Sequence, residues 1–282
     1  MSAGIRTITH DEGRVLLESG GALALDVRTP GEYEQLGHIP GAWLLPVDLV
    51  ASAPAVLPGD GRPILVYCEH GVRSVAAAQL LVEAGVPNVL NLAGGLASWT
   101  GPREFGSGAL RGPSPWLIDN ADLLPRDGRK VLDVACGRGR HALLLASAGF
   151  DVHAIDRDPD AIAFLRATAE RLRLSLTADV VDLESEAPPN LAAARYDAVF
   201  VFNYLHRPLM PALRAALKPG GRLFYETFTM RQAERGHPKN PAFLLNDGEL
   251  AQLVAPLAVL RSHEGEFGGR FISSIVAQRS AL

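Results

Sequence analysis

A stretch rich in glycine, proline and serine, TGPREFGSGALRGPSP at residues 100–115, divides the chain into two parts with the same kind of pattern. In each part, short apolar runs alternate with segments of helical periodicity, which is typical of a parallel sheet flanked by helices. The composition of the stretch itself is that of a linker. We therefore predict an α/β protein with a first domain at residues 1–105, a linker at 106–115 and a second domain at 116–282.

The apolar runs give the predicted strands of a small sheet and of a larger, doubly wound sheet. In the first part these runs are residues 23–27, 43–47, 64–67 and 89–92. In the second part they are residues 130–135, 152–155, 174–178, 196–202, 222–227 and 271–278. Helices are predicted at 158–172 and 209–217, the latter closed by the sequence PGG.

Composition and charge exclude several classes of protein. The 282 residues are 48% apolar, enough for two cores, and the net charge of −4 does not indicate a binder of nucleic acid or of a membrane surface. The first residues, MSAGIRTITHDEGR, lack the apolar core of a signal peptide, and the two cysteines do not form a disulfide framework. We expect a soluble cytoplasmic protein with small-molecule partners and no membrane partner. Its oligomeric state is left open, and no metal site is predicted.

Cys68 lies where a predicted strand meets a predicted helix, in the sequence VYCEHGVRS. A thiolate at this point would face free backbone N–H groups and the positive end of the helix dipole, which favour the ionised form. Gly71 allows a tight turn, and Arg73 adds a positive charge nearby. The alternative is a buried, inert thiol, which is a common state of cysteine.

Three sequence blocks in this part resemble the rhodanese family of single-domain sulfurtransferases. They are LDVRTPGEYEQLGHIPGAW, LVYCEHGVRS and LNLAGGLASW, and together they cover most of residues 5–100. The resemblance implies that Cys68 takes sulfur from a donor such as thiosulfate and carries it as a persulfide. It further implies a donor-binding loop of Glu69, His70, Gly71, Val72 and Arg73, with Arg73 as a catalytic residue.

Other residues of this domain receive structural interpretations. Asp26 and Arg28 match the buried scaffold pair of the family, and His38 is interpreted as a structural histidine. A Glu69 carboxylate beside the thiolate would oppose its ionisation. Thiosulfate, an anion, is therefore not the expected preferred donor.

A glycine-rich turn marks the start of the second domain, in the sequence KVLDVACGRGRHALLLASAGFDVHAIDRDPDAI. Its strand, turn, helix and second strand ending in Asp156 fit a dinucleotide-binding site as well as an S-adenosylmethionine site. Asp133, just before the turn, suits a ligand with an ammonium group better than a pyrophosphate, which favours S-adenosylmethionine over NAD.

The segments that follow resemble class I S-adenosylmethionine-dependent methyltransferases over residues 116–282. They are Asp182-Leu183, YDAVFVFNYLH and LKPGGRLFYETF. The resemblance implies that Asp133, Gly137 and Gly139 hold the methionine end of the cofactor, that Asp156 binds the ribose, and that Asp182 and Leu183 bind the adenine, with Asn203 also at the cofactor. Ala135 departs from the pattern, because the family more often has glycine there.

Two segments are candidates for the acceptor site. Tyr204, His206 and Arg207 follow the fourth strand of the second domain, and residues 224–245, which include Arg231, could form a lid. His206 is the candidate catalytic base, Tyr204 a candidate contact, and Arg207 with Arg231 could hold an anionic acceptor. Both segments resemble the branch that includes tellurite-resistance methyltransferases.

The resemblances together predict a bifunctional enzyme with sulfur transfer through a Cys68 persulfide and methyl transfer from S-adenosylmethionine to a small acceptor. The acceptor class suggested by the fusion is a thiol or a chalcogen oxyanion. In the alternative, the rhodanese-like domain is only a binding or sensing module of a methyltransferase. A nucleic-acid methyltransferase is disfavoured, because the second domain has no basic stripe.

Overall fold

A computed structural model describes residues 5–106, 111–126, 129–185, 189 and 191–281. Its internal contacts group the chain up to Pro113 in one compact unit and the chain from Ser114 in a second, with residues 170–173 grouped with the first. Both units are α/β, which confirms the predicted fold class. Within the described ranges, no helix has the length and apolar character needed to cross a membrane.

The first unit is built on a five-stranded sheet in which every described strand pair is parallel, in the order β1-β5-β4-β2-β3. Its strands are β1 Arg6–Ile8, β2 Leu23–Asp26, β3 Trp43–Leu44, β4 Ile64–Tyr67 and β5 Val89–Leu92. Its helices are α1 His10–Glu18, α2 Pro30–Gln35, α3 Ala53–Val56 and α4 Val72–Glu83. All four residues of β2 and of β4 are buried, as expected for parallel strands covered on both faces.

Capping boxes define the starts of two of these helices. The Thr9 hydroxyl accepts from the backbone N–H of Glu12 at the start of α1, and the Glu12 carboxylate accepts from the N–H of Thr9. Thr29 and Glu32 do the same for α2. Each box satisfies backbone donors that the first helical turn leaves free, so both helix starts are encoded locally.

The second unit contains a seven-stranded sheet in the order β11-β12-β10-β9-β6-β7-β8, in which β12 is antiparallel to its neighbours β10 and β11. The strands are β6 Lys130–Val134, β7 Asp151–Asp156, β8 Leu176–Val180, β9 Tyr196–Phe202, β10 Leu217–Phe228, β11 Ala258–Phe267 and β12 Arg270–Gln278. The helices are α5 Pro115–Asp119, α6 Arg140–Ser147, α7 Pro159–Leu172, α8 Met210–Ala216 and α9 Glu249–Val254. The strands β7 and β8 lie on one side of β6, and β9 with the strands that follow it lies on the other side. In open α/β sheets, ligands bind at such a switch point.

Described residues of the predicted linker at 106–115 make contacts with the units beside them. The Arg111 guanidinium lies 4.3 Å from the centroid of the Trp43 ring, and the Arg111 N–H donates to the Leu44 carbonyl at 2.8 Å. Ser114 instead caps α5, accepting from the N–H of Trp116. Residues 107–110 lie outside the described part of the chain. The described ends of the linker therefore belong to the units on either side.

Candidate active sites

The Cys68 thiol lies directly after β4 and in front of α4. Its sulfur accepts from the Ser74 N–H at 3.3 Å and lies 3.6 Å from the Ser74 hydroxyl. Gly71, the cap of α4, has a φ of +84°, a left-handed conformation that favours glycine. Cys68 itself is 1% exposed. The sulfur therefore meets a backbone N–H, that of Ser74, at a helix N-terminus, an arrangement that stabilises negative charge.

The segment after β5 is hydrogen-bonded to the backbone of the Cys68 loop. The N–H groups of Leu96 and Ala97 donate to the carbonyls of Cys68 and Glu69 at 2.8 and 2.9 Å. A Cβ atom at Gly95 would lie 2.3 Å from the Cys68 carbonyl oxygen. Only glycine permits this close backbone approach. The sequence block LNLAGGLASW therefore contributes to the site by holding the backbone of the Cys68 loop in place.

Arg28 connects the buried scaffold to the loop. Its guanidinium binds both carboxylate oxygens of Asp26 at 2.7–3.1 Å, and both side chains are fully buried. The same guanidinium donates to the Glu69 carboxylate and to the Gly37 carbonyl, each at 2.7 Å. The negative charge of Glu69, which we expected to oppose thiolate formation, is therefore paired with a cation.

Arg73 also pairs with a carboxylate. Its guanidinium binds both carboxylate oxygens of Glu32, and this contact lowers the pKa of Glu32 to about 2. The remaining loop residues lie at the rim: His70 is exposed, and Val72 is 78% exposed. The catalytic role of Arg73 stays a prediction, and in this state its guanidinium is held by Glu32.

His38 has the contacts of a structural residue. Its ring stacks on Tyr33 with centroids 3.6 Å apart, and its Nδ1 lies 3.1 Å from the Tyr33 carbonyl oxygen. It is 5% exposed. These contacts agree with the structural interpretation and give His38 no path to the sulfur.

In the second unit, the glycine turn connects β6 to α6. The Gly137 N–H donates to one carboxylate oxygen of Asp156 at 2.7 Å, and the other oxygen accepts from the Asp158 N–H at 2.9 Å. Ala135 has a φ of +53° and Gly137 the same value. The turn thus places an alanine in the left-handed region, where the family more often has glycine.

Two glycines of this turn differ in the space around them, so an alanine substitution should have a different cost at each position. A Cβ at Gly139 (φ +86°) would lie 2.4 Å from Cδ1 of Leu165, whereas a Cβ at Gly137 would meet nothing within 4 Å. We expect Gly139→Ala to cost about 2–4 kcal/mol from backbone strain and overpacking combined, and Gly137→Ala about 1 kcal/mol from strain alone. Urea unfolding of both variants measures the difference. Equal losses would mean that Leu165 moves aside.

Asp133 is buried at the end of β6 with one carboxylate oxygen, Oδ2, that has no hydrogen-bond partner among the described residues. Burial raises the pKa of Asp133 to about 7, with Arg140 opposing and Asp156 adding to the rise. An unpaired buried carboxyl is costly. A ligand that brings a positive charge would relieve this cost.

We expect the buried Asp133 carboxyl to lower the stability of the fold and to strengthen the binding of the cofactor. Its pKa rises on folding from 3.8 to about 7, so the native state holds the proton more tightly, and this group destabilises the fold increasingly as pH rises across that interval. Asp133→Asn should therefore gain thermal stability over wild type near pH 8 but little below about pH 4. The same variant should bind S-adenosylhomocysteine about 10- to 100-fold more weakly, since an ion pair to the ligand is lost. A gain at low pH only, or unchanged affinity in calorimetry, would contradict this assignment.

A cavity of about 530 Å³ opens at the carboxyl ends of the second unit's strands. Several predicted residues line it, namely Asp156 at the end of β7, Leu183 after β8, and Asn203 and Tyr204 after β9. Ala135 and Phe228 complete the strand edge, and Phe243, His237 and Pro238 come from the predicted lid segment. Its size is that of a small-ligand site.

Four of the predicted cofactor residues are not among the residues that line this cavity, namely Asp133, Gly137, Gly139 and Asp182. Asp182 is exposed and accepts from the Glu184 N–H at 3.0 Å, and Asp133 is buried. Asn203 has a φ of +57°, and its side-chain oxygen accepts from Arg270 at 3.2 Å. The roles of these residues at the cofactor stay predictions.

The acceptor residues predicted from the sequence are not brought together. His206 lines a separate cavity of about 190 Å³, which shares Leu183 and Glu184 with the larger one. Arg207 binds the Glu249 carboxylate at 2.5 and 2.9 Å. The Arg231 guanidinium stacks on Phe271, 4.2 Å from the ring centroid. Of the four predicted acceptor residues, only Tyr204 lines the larger cavity.

Sequence reasoning missed two acidic residues in this unit. Glu184 lines both cavities, and the only local signal was its position two residues after Asp182. Glu226 is fully buried on β10 and accepts from the Ser114 and Ser274 hydroxyls. A carboxylate within the apolar run LFYETF was a signal for the second, because a buried charge requires partners.

The described residues fit S-adenosylmethionine. The unpaired oxygen of Asp133 suits its ammonium group, and the Asp156 carboxylate at the end of β7 lies where hydroxyls of a ribose could donate to it. Apolar side chains, including Leu183, offer a surface for a planar base.

Comparisons with known proteins agree with this arrangement. The family model described as a rhodanese-like domain matches residues 9–102, and one described as a methyltransferase domain matches residues 131–221. A sulfurtransferase of Allochromatium vinosum is 39% identical over 84 residues, which is 30% of this chain and 77% of that protein. A ribosomal protein L11 methyltransferase of Cupriavidus metallidurans is 35% identical over 184 residues, covering 63% of this chain and 51% of the relative.

Among solved structures, TehB from Haemophilus influenzae is similar in fold to the chain. The TM-score is 0.50 at 22% identity, over 60% of this chain and 63% of TehB. Some curated relatives are much longer, and the chain spans about a quarter (24%) of their length. Sequence blocks, fold and family matches coincide in both units: the chain belongs to the rhodanese-like sulfurtransferases through its first domain, and its second is a methyltransferase domain for which S-adenosylmethionine is the expected cofactor.

Proposed function

We propose that the chain is a bifunctional enzyme that transfers sulfane sulfur through a persulfide on Cys68 and transfers a methyl group from S-adenosylmethionine to a small thiol or related chalcogen acceptor. The observation that supports the first activity is the Cys68 sulfur at the N-terminus of α4, bonded to the Ser74 N–H. The second activity is supported by the cavity at the strand ends, with Asp156 and the glycine turn beside it.

The sulfur step is a displacement at the donor's sulfane sulfur. The Cys68 thiolate forms the new S–S bond, and the leaving group, a thiolate or sulfite, departs with the electron pair of the broken bond. The persulfide then carries its terminal sulfur at the same helix N-terminus, where the Ser74 N–H contacts the Cys68 sulfur. Because this donor is fixed before reaction, it stabilises the charge without reorganisation.

Charge pairing in the loop favours a donor of low charge. Glu69 is bound by Arg28, and Glu32 by Arg73, so both arginines near the loop are engaged by carboxylates. A thiosulfate dianion would have to compete with Glu32 for Arg73. A persulfide of a small thiol carries less charge and would meet the exposed side chain of Val72 at the rim.

In the second domain the cofactor supplies an activated methyl group. Asp133 would hold its ammonium group, Asp156 its ribose and Leu183 its base. The chain's remaining task is to align the acceptor, exclude water and accept a proton where the acceptor carries one.

The test uses methyl-labelled S-adenosylmethionine with small thiols, sulfide, selenite and tellurite, with thiosulfate or a glutathione persulfide as sulfur donor or with none. Wild type is compared with Cys68→Ser. Label in a chalcogen product supports the methyl transfer, and a donor-dependent part that is lost in Cys68→Ser would join the two sites in one pathway. A parallel panel of small alcohols, phenols and amines supplies the comparison, and label that enters only these oxygen or nitrogen acceptors would refute the acceptor class.

Intact-mass measurement on the same samples decides whether the first domain is an enzyme or a binding module. Formation of a Cys68 persulfide with either donor supports the enzyme. A chain that binds sulfur donors without a gain in mass would instead have a sensing domain.

A further inference from the structure

The larger cavity of the methyltransferase domain contains the buried hydroxyl of a tyrosine, Tyr204. Tyr204 lines the cavity, and its hydroxyl meets no group of normal hydrogen-bond geometry among the described residues. The Tyr225 hydroxyl donates to the Tyr204 carbonyl at 2.9 Å, which fixes the backbone at this point. A buried polar group without a protein partner needs a ligand, a water or an ion to complete its hydrogen bonding, and the position of this hydroxyl at the cavity favours a ligand.

Glu184 is the acidic neighbour of this hydroxyl. It lines the same cavity, and its carboxylate lies 3.8 Å from Arg157, whose side chain is 72% exposed. Burial, and then the nearby Glu184 charge, raise the pKa of Tyr204. Tyr204 is therefore a neutral phenol that can donate a hydrogen bond, while Glu184 is the group that can receive a proton.

The charges on the cavity wall disfavour an anionic acceptor. The arginines expected to bind one are engaged elsewhere: Arg207 with Glu249, and Arg231 on the Phe271 ring. The lining residues include two carboxylates, Asp156 and Glu184, against one guanidinium, that of Arg157, beside several apolar side chains. A small, neutral and weakly hydrated acceptor suits this wall better than an oxyanion.

We propose that Tyr204 and Glu184 form the acceptor site for a neutral thiol, in which the Tyr204 hydroxyl donates to the sulfur and the Glu184 carboxylate receives the S–H proton. This inference rests on the proposed methyl transfer and narrows its acceptor class. The thiol sulfur gains the methyl group, the electron pair of the broken bond stays on the cofactor's sulfur as a neutral thioether, and the proton leaves to solvent through Glu184. His206, on the separate cavity, has no part in this step.

The variants Tyr204→Phe and Glu184→Gln test the two roles separately, with Tyr196→Phe as the matched control. Tyr196 is a buried tyrosine outside the cavity, and its hydroxyl lies 2.6 Å from His153 Nδ1. Calorimetry measures binding of S-adenosylhomocysteine, and then binding of 2-mercaptoethanol to the protein loaded with it. Tyr204→Phe should weaken thiol binding about 3- to 10-fold, as expected for one hydrogen bond. The affinity for S-adenosylhomocysteine should stay unchanged.

Glu184→Gln should keep thiol binding but lower kcat at neutral pH about 100-fold, the usual effect of losing a base. Its activity should recover as pH rises and the free thiol ionises, whereas wild type depends less on pH in that range. Unchanged thiol binding in Tyr204→Phe, an equal loss in Tyr196→Phe, or faster methylation of selenite or tellurite than of thiol by wild type would overturn the inference. If wild type binds S-adenosylhomocysteine but methylates no acceptor, the proposed function itself fails, whatever the variants show.

Discussion

Cys68→Ser abolishes sulfur loading: wild type treated with a persulfide donor should gain about 32 Da per sulfur atom, and the variant should gain none. The serine hydroxyl fits the buried position beside Ser74, so the fold should persist. Its oxygen does not ionise near neutral pH, and removing a nucleophile typically lowers turnover by a thousandfold or more, roughly 10³ to 10⁶. Intact-mass measurement and a sulfite or thiocyanate release assay check both effects.

Cys136 supplies the control for this prediction. It lies in the glycine turn of the methyltransferase domain, where burial first, and then the charges of Asp133 and Asp156, raise the pKa of its thiol. It should therefore stay protonated and unreactive. Cys136→Ser should load sulfur like wild type. Mass gain that persists in Cys68→Ser and disappears in Cys136→Ser would assign the sulfur to the wrong domain and refute the proposal.

The fold could be predicted where short-range pattern determines it. The strands β4, β5 and β9 have the predicted bounds, and α7 differs from prediction by one residue. β1 and β11 were missed. The first is three residues long, and the second is mostly exposed along its length and is defined by its antiparallel pairing with β12. An exposed edge strand carries little apolar alternation, so no local signal marks it.

The candidate sites, like the fold, could be predicted where the residues involved are close together in the sequence. Cys68 and the glycine turn were found because strand, turn and helix are contiguous in sequence, and their geometry follows from that order. The direction of an arginine is instead set by a partner far along the chain: Glu249 is 42 residues from Arg207, and Glu32 is 41 residues from Arg73. Sequence reasoning gave these arginines to anionic ligands because it could not see the carboxylates that bind them.

The scaffold pair should have the largest effect on stability. Arg28→Met leaves the Asp26 carboxylate, fully buried, without its cation. Breaking a buried ion pair in this way typically costs about 3–5 kcal/mol, whereas removing both charges costs much less. We therefore expect Arg28→Met to lower the urea midpoint of the first domain by about 1 M or more, and Asp26→Asn combined with Arg28→Met to recover a large part of the loss.

Tryptophan fluorescence can report this domain alone. Trp43 and Trp99 lie in the first unit and Trp116, the third tryptophan of the chain, in the second, so a Trp116→Phe background removes the other signal. A loss below about 1 kcal/mol in Arg28→Met, or a double variant no more stable than the single one, would show that Asp26 does not need its partner.

The same pair links stability to chemistry, because Arg28 also binds Glu69 next to Cys68. In the folded double variant the Glu69 carboxylate loses its cation, and its free charge should slow thiolate attack. Adding Glu69→Gln removes that charge and should restore sulfur loading without restoring stability. A triple variant that recovers both, or neither, would mean that Arg28 acts on the loop only through the fold. Recovery of the rate alone would make Arg28 a positioning residue that keeps the Glu69 carboxylate from opposing the thiolate.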